Sequence, residues 1–156
     1  SSEPKRKWDE ESFLVAAEQI RGLSARETAD TILAWAHNLG LDVWGGQGAK
    51  TPSLSIKFSF GNAVYSLFVL YANPKSVTVE VQFRSIRIRT PFSDETMRQN
   101  LLARLNLIDG VVLPSDSFDS RPSIYIDVFH QNPQRLEQFL AVWDWYLDEV
   151  RKANMP

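Results

Sequence analysis

The sequence predicts an α+β domain in which helices pack on one face of an antiparallel β-sheet. Apolar residues recur at helical spacing near both ends of the chain. Between residues 41 and 89, apolar and polar residues instead alternate with period two, and β-branched and aromatic residues are frequent. Helices and strands are therefore grouped rather than alternating along the chain, which disfavours a parallel βαβ fold of the dinucleotide-binding kind.

Two helices are expected before the alternating region, joined by a very short connection. The first begins after Asp9, a good N-cap residue followed by acidic side chains that suit the positive end of the helix dipole, and it ends at Gly22. The second has Ser24 and Glu27 at the spacing of a capping box and ends at Gly40. Together they predict an N-terminal helical hairpin.

An antiparallel meander of four or five strands is expected to follow. The segments that indicate these strands are LDVWGG, SLSIKFSFG, NAVYSLFVLYAN, KSVTVEVQFRSIRIRT and, later in the chain, SIYIDVF. Hairpin turns are expected at residues 60–63 and 72–76. In the fourth segment, valines and Phe83 share one face and polar residues share the other, a pattern typical of a sheet covered on one side.

Two further helices are expected to pack on one face of this sheet. The first has Ser93 as its N-cap, acidic residues in its first turn, and an end at Gly110. The second follows Asn132, with Pro133 at its first helical position. Its segment PQRLEQFLAVWDWYLDEVRKA is strongly amphipathic.

The chain of 156 residues is expected to form one domain over residues 8–152, followed by a tail at 153–156. The polar stretch SSEPKRK at residues 1–7 lacks an initial methionine, which indicates a linker or a cloning scar and a missing upstream part. No apolar run approaches the roughly 18 residues that a membrane-spanning helix needs, and no signal peptide is present, so no membrane partner is expected.

The composition excludes several kinds of chemistry. Without cysteine, the chain has no disulfides, thiolate chemistry or cysteine-based zinc sites, which fits a cytoplasmic location. It has only 2 histidines, so a histidine-rich metal site is not expected, and no cofactor is predicted. The formal net charge is −2, so any nucleic-acid binding would depend on a local cluster of cations rather than on the overall field.

The glycine-rich segment VWGGQGAKTPSLSI, residues 43–56, is the first candidate site. A Walker A loop needs a glycine immediately before its lysine, whereas Lys50 follows Ala49. A phosphate-binding loop also leads into a helix, whose N-terminal amides meet the anion, and this segment leads through Pro52 into a strand. We therefore expect a turn whose glycines permit positive φ, with Trp44 and Lys50 at the rim of a binding surface.

The second candidate is the segment FRSIRIRTPF, which carries three arginines within six residues. In a regular strand Arg84 falls on the polar face, whereas Arg87 and Arg89 fall on the apolar face, and a bulge near Ser85 would restore a common face. The alternatives are an edge strand protected by charge and arginines paired with acidic side chains.

These candidates combine into a predicted anion-binding or nucleic-acid-binding site. Cations would contact phosphates, and an aromatic ring would stack on a base, as in sheets that bind single strands. The residues of this site are Arg84, Arg87, Arg89, Lys50, Lys57 and Trp44.

Two other function classes stay open. A metal-dependent hydrolase would be built around Asp116, Asp119 and His130, but turns rich in serine and aspartate use such residues to bond their own backbone, and no catalytic residue is assigned. A protein-interaction or oligomerisation domain would use Trp145, because the spacing of Trp143 and Trp145 places one indole in the core and the other near the surface.

Several segments together carry a resemblance: KWDEESF, WGGQG, VEVQF, LLARLN, RPSIYI and LEQFLAVWDWYLDEV. From Lys7 to Val150 the chain resembles an uncharacterised bacterial module found at the C-terminal end of larger nuclease-like or defence-associated proteins. The resemblance carries no assigned catalytic residues, and it implies an accessory domain of a cytoplasmic bacterial protein. The expected function is non-catalytic binding of an upstream domain of the same chain, of DNA or RNA, or of a protein partner or second copy.

Overall fold

The chain starts with a helical pair, continues into one antiparallel sheet and returns to helices. A computed structural model describes residues 7–48 and 50–155. The helices are α1 (Glu10–Arg21), α2 (Leu23–Asn38), α3 (Phe83–Ile86), α4 (Glu95–Asn106), α5 (Asp127–Gln131) and α6 (Pro133–Ala153), with a 3₁₀ turn at Ser117–Asp119. The strands are β1 (Asp42–Gly45), β2 (Ser53–Phe60), β3 (Ala63–Ala72), β4 (Val77–Val81) and β5 (Ser123–Tyr125). Of the predicted linker at residues 1–7, only Lys7 is among the described residues.

The sheet has five strands in chain order, β1-β2-β3-β4-β5, each antiparallel to its neighbour. This confirms the predicted α+β class and the meander. The pairing of β2 with β3 contains one irregularity, because Ile56 pairs with Phe68 whereas Lys57 pairs with Ser66, which leaves Leu67 as the extra residue of a bulge.

The first helix begins as expected, and the second does not. Ser12 N donates a hydrogen bond of 2.7 Å to the Asp9 side chain, and Asp9 N donates one of 3.1 Å to Ser12 Oγ, so α1 has a reciprocal capping box. The capping box predicted for Ser24 and Glu27 is wrong, because both lie inside α2. Gly22 is the single residue between the two helices and has a φ of 87°. Its carbonyl accepts hydrogen bonds from Ala25 N and Arg26 N in the first turn of α2.

The caps of the later long helices are set by their own side chains. α4 is capped by Asp94, whose carboxylate accepts 2.9 Å from Thr96 N, so the predicted cap at Ser93 is wrong by one residue. The cap at Asn132 is confirmed, with its side chain accepting 3.0 Å from Gln134 N.

The fourth strand is shorter than predicted, and this changes the position of the arginines. β4 ends at Val81, and the chain then forms the helical turn α3 instead of a strand with a bulge near Ser85. Phe83 and Ile86 are fully buried, and their spacing of three suits a helical turn. Because burying both apolar side chains requires the turn, the intervening and following arginines point away from the core. The fifth strand is also short, since the last three residues of the predicted strand SIYIDVF belong to α5, which begins at Asp127.

The helices pack on one face of the sheet through a cluster of aromatic rings. Phe68 on β3 lies with its ring centroid 5.3 Å from both Phe139 and Trp143 of α6, and 6.4 Å from Trp35 of α2. Tyr146 of α6 is fully buried, and its hydroxyl donates a hydrogen bond of 2.9 Å to the carbonyl of a β3 residue, Ser66. The opposite face of the sheet, which we call the outer face, carries the alternate residues of each strand.

The buried Tyr146 hydroxyl predicts how stability changes at alkaline pH. Burial, with a smaller contribution from Tyr65, raises the pKa of Tyr146 well above its ordinary value. Above about pH 10 the unfolded chain therefore holds fewer protons than the folded one, and the free energy of unfolding falls as pH rises. We expect Tyr146→Phe to cost about 1 kcal/mol at neutral pH and to show a shallower decline at alkaline pH.

Urea denaturation of both proteins at neutral and alkaline pH measures this difference. Tyr125→Phe removes a hydroxyl from a side chain that is 63% exposed and is the matched control at neutral pH, with an expected change below about 0.5 kcal/mol. Equal alkaline slopes for Tyr146→Phe and the native chain would contradict the assigned burial.

Candidate functional site

The glycine-rich segment connects β1 to β2 and is held against the start of α1. Trp8 N donates 2.9 Å to the carbonyl of Gly46, and the Trp8 indole donates 2.9 Å to the carbonyl of Gly48. A Cβ on Gly45 would lie 1.5 Å from the Trp8 carbonyl oxygen, and one on Gly46 would lie 2.0 Å from Ser53 Oγ. Gly45 is therefore needed for the close approach of the Trp8 backbone, whereas a side chain at Gly46 would require only that the Ser53 hydroxyl move.

The predicted conformation of this loop is wrong in one respect and right in another. Gly45, Gly46 and Gly48 all have ordinary φ, whereas the glycines with positive φ in the described part of the chain are Gly22, Gly40, Gly61 and Gly110. The loop does lead into a strand, which begins at Ser53. The absence of a side chain, rather than positive φ, is what the packing requires of Gly45.

Lys50 lies at one end of the sheet. It lines a cleft of about 460 Å³ between α1 and the turn that joins β3 to β4, together with Trp8, Pro52 and Pro74. The cleft also reaches Ala72, the last residue of β3. Lys50 is therefore held near the helical hairpin rather than near the predicted arginine cluster.

Trp44 and Lys57 come together on the outer face of the sheet. Trp44 pairs with Ser55 across the β1–β2 ladder, and Lys57 is the next residue of β2 on the same face. The Lys57 ammonium lies 4.2 Å from the centroid of the indole, which is a cation–π contact. Trp44 is nevertheless 50% exposed, so part of its ring stays open to a ligand.

The three predicted arginines lie on α3 and just after it. Arg84 and Arg87 are exposed, and Arg89 Nε donates 3.4 Å to the carbonyl of Val64 at the start of β3. None of the three makes an ion pair with another described residue. The alternative that they neutralise acidic neighbours is therefore wrong for the described chain, and so is the edge-strand alternative, since β4 lies between β3 and β5.

The predicted cations do not form one patch. Arg89 contacts Val64 at the start of β3, whereas Lys50 shares its cleft with Ala72 at the end of that strand. An extended strand rises about 3.3 Å per residue, so these two positions are about 26 Å apart. The structure thus separates Lys50 from the three arginines.

Arg121 is a cation that the sequence analysis missed. Its neighbour Ser120 accepts a hydrogen bond of 3.1 Å from Arg84 N, which places Arg121 beside α3. Arg121 also lies on the side of the outer face, because it has the same parity as Ser123 and Tyr125 of β5. The pKa of Tyr71 is raised by burial and by Glu80, and Arg121 lowers it. Arg121 therefore joins the arginine turn to the outer face of the sheet.

The alternation of the segment RPSIYI contained the signal for this position. Arg121, Ser123 and Tyr125 have the same parity, and β5 pairs Ser123 with Glu80 on the outer face. Period-two alternation in this segment therefore predicts that Arg121 lies on the outer face.

Asp119 and His130, two of the residues considered for a metal-dependent hydrolase, make contacts that do not form a metal site. Asp119 accepts 2.7 Å from Arg98, a buried side chain that also donates to the carbonyls of Phe118, Phe92 and Ser93. His130 lies on α5, and the described residues contain no group of three or more His, Cys, Asp or Glu that could hold a metal ion. Arg98 and Asp119 instead tie the 3₁₀ turn to α4.

Trp145 is engaged within the chain. Its ring meets Phe92 edge-on at 5.9 Å between centroids, and the Arg104 guanidinium lies 4.1 Å from its centroid. Trp143 is fully buried and Trp145 is half-buried, which confirms the predicted division of the two indoles. The contacts of Trp145 give no support to a docking role for its ring.

Known protein families, curated proteins and solved structures were compared with this chain, and none matches it. Among the described residues, every helix is too short or too polar to span a membrane. The possible chemistry of the site therefore follows from its own residues.

The packing of the glycine loop predicts a difference between two glycines. Gly45→Ala would bring a methyl group against the Trp8 backbone, whereas a Cβ on Gly48 has its nearest neighbour at 3.5 Å. We expect Gly45→Ala to lower the free energy of unfolding by about 1–3 kcal/mol and Gly48→Ala to change it little. Urea denaturation measures both, and equal stabilities would contradict the close approach of Trp8.

The contact between Lys57 and Trp44 predicts an energetic coupling. In a double-mutant cycle of Lys57→Met and Trp44→Leu, we expect a coupling free energy of about 0.5–1 kcal/mol by urea denaturation. The matched cycle uses Lys75→Met, an exposed lysine in the turn between β3 and β4, and should be additive within about 0.3–0.5 kcal/mol. A Lys57 cycle that is equally additive would contradict the cation–π contact.

Proposed function

We propose that this chain is a non-catalytic binding module that contacts nucleic acid through the arginines of the α3 turn. The observation that supports the proposal most is a set of three guanidinium groups without acidic partners among the described residues. They belong to Arg84 and Arg87, which are exposed, and to Arg89, which is half-buried. Residues 82–93 contain no acidic side chain, so no neighbour in sequence neutralises them. Guanidinium groups bind phosphate oxygens through parallel hydrogen bonds.

The backbone that carries these arginines is held by the core. Phe83 directly precedes Arg84, Ile86 directly precedes Arg87, and both apolar side chains are fully buried. A fixed backbone lowers the entropy lost when a side chain orders on a ligand, which favours binding. The net charge of −2 means that this local surface, rather than the whole molecule, would attract a polyanion.

The module is proposed to act as an accessory part of a larger cytoplasmic bacterial protein of the nuclease-like or defence-associated kind. In such a protein an upstream domain of the same chain would supply the catalysis, and this domain would add contacts to the nucleic acid. The Arg98–Asp119 bond and the intramolecular contacts of Trp145 favour this function over the hydrolase and docking alternatives.

Fluorescence anisotropy with a labelled oligonucleotide, measured over a range of salt concentrations, tests the proposal. We expect the triple variant Arg84→Ala, Arg87→Ala, Arg89→Ala to bind at least about tenfold more weakly at low salt. The slope of log affinity against log salt should also become shallower by about 2, because up to three phosphate contacts are lost.

The charge-matched control is the triple variant Arg26→Ala, Arg151→Ala, Lys152→Ala. In this control, all three side chains lie in ion pairs on α2 and α6. It changes the net charge by the same amount and should keep most of the affinity. An equal loss in the control, or no binding by the native chain at low salt, would refute the arginine site.

A further inference from the structure

The outer face of the sheet carries the exposed rings of Trp44 and Tyr125 and the half-buried ring of Tyr71, at positions fixed by the strand register. Tyr71 on β3 pairs with Thr78 on β4, which pairs with Tyr125 on β5. With strands about 4.8 Å apart, the two tyrosines stand about 10 Å apart in one row. Trp44 pairs with Ser55, which pairs with Val69 on β3, two residues before Tyr71. Two strand spacings and two residues along the strand therefore put Trp44 about 12 Å from Tyr71.

We propose that this face binds single-stranded rather than double-stranded nucleic acid, with unpaired bases stacked on these rings. The inference rests on the proposed function, because the arginine turn is taken to hold the phosphates. The rings are about three times farther apart than the 3.4 Å between successive bases of a duplex strand. Only bases that are splayed apart can reach rings at this spacing, and bases inside a duplex offer no free face.

The charges on the outer face favour bases over phosphates. Its cations, Lys57 and Arg121, are balanced by Asp42 and Glu80. Both carboxylates accept hydrogen bonds from side chains of this protein. Asp42 accepts one of 2.5 Å from Ser59 Oγ, and Glu80 Oε1 accepts one of 2.9 Å from the Gln82 side chain. A face without net charge and with aromatic rings suits the bases, whereas the excess positive charge lies at its border.

The arginine turn borders the face at the end of β4. Arg84 N donates a hydrogen bond to the carbonyl of Ser120, and the next residue, Arg121, lies on the side of the outer face. A strand that lays its bases on the outer face would therefore pass its backbone beside α3. The unpaired arginines are the reason that a polyanion, rather than a neutral polypeptide, is the occupant that fits this surface.

Anisotropy with a labelled oligothymidine strand, and with the duplex it forms with oligoadenosine, tests this inference on the full chain. We expect the single strand to bind more tightly than the duplex. Trp44→Ala and Tyr125→Ala should each weaken single-strand binding about fivefold or more, with little change in the salt slope, because no cation is removed. Tyr125→Phe keeps the ring and should bind like the native chain.

Three further measurements separate stacking from a loss of folding. Leu107→Ala truncates an apolar side chain that is 84% exposed on another surface and should leave binding unchanged. Oligothymidine should quench the intrinsic tryptophan fluorescence, and the quenching should be smaller in Trp44→Phe, although anisotropy still reports binding. Melting curves of each variant confirm that it is folded.

The outcomes distinguish this inference from the proposed function. Duplex binding as tight as single-strand binding, or native affinity in both folded ring-to-alanine variants, would overturn the stacking face while leaving the arginine site in place. No binding of either oligonucleotide at low salt would overturn both proposals together.

Discussion

The position of Phe68 in the middle of β3 is the constraint on which the rest of the fold depends. This single ring contacts α2 through Trp35 and α6 through Phe139 and Trp143, so elements from both ends of the chain meet on one side of the sheet. The outer face is left mainly to polar residues, to Val64 and Val69, and to rings that reach solvent. The surface available to a partner is thus determined by the same packing that forms the core.

Most of the fold could be predicted from the sequence, because most of its signals are local. The side chains of Asp9 and Asn132 accept hydrogen bonds from amides in the first turns of the helices that they cap. Period-two alternation likewise gives each strand its buried face. The segment after Val81 could not be predicted in this way, because IRIRT alternates like a strand while Phe83 and Ile86 have helical spacing. Burial of both side chains against residues distant in sequence decided between the two patterns.

The candidate site was predictable to a smaller extent, because it depends on how separate segments pack. Neighbouring outward positions on β1 and β2 bring Trp44 to Lys57, which the strand pattern could indicate. The separation of Lys50 from the arginines follows from the hydrogen bonds between Trp8 and the glycine loop, which no local pattern reveals. A prediction from charge alone therefore combined Lys50 and Arg89 in one site, although they lie at opposite ends of β3.

The bonds that join the first helices to the last ones have a consequence for synthesis on the ribosome. The Trp35 indole donates 3.1 Å to Asp144, 109 residues later, and Arg21 bonds Asp127, 106 residues later. At about 5–20 residues per second, the helical hairpin waits roughly 5–20 s for these partners to be translated. Only the part of the hairpin that contacts α5 and α6 stays uncovered during that interval, because the strands that α1 and α2 also contact are translated earlier.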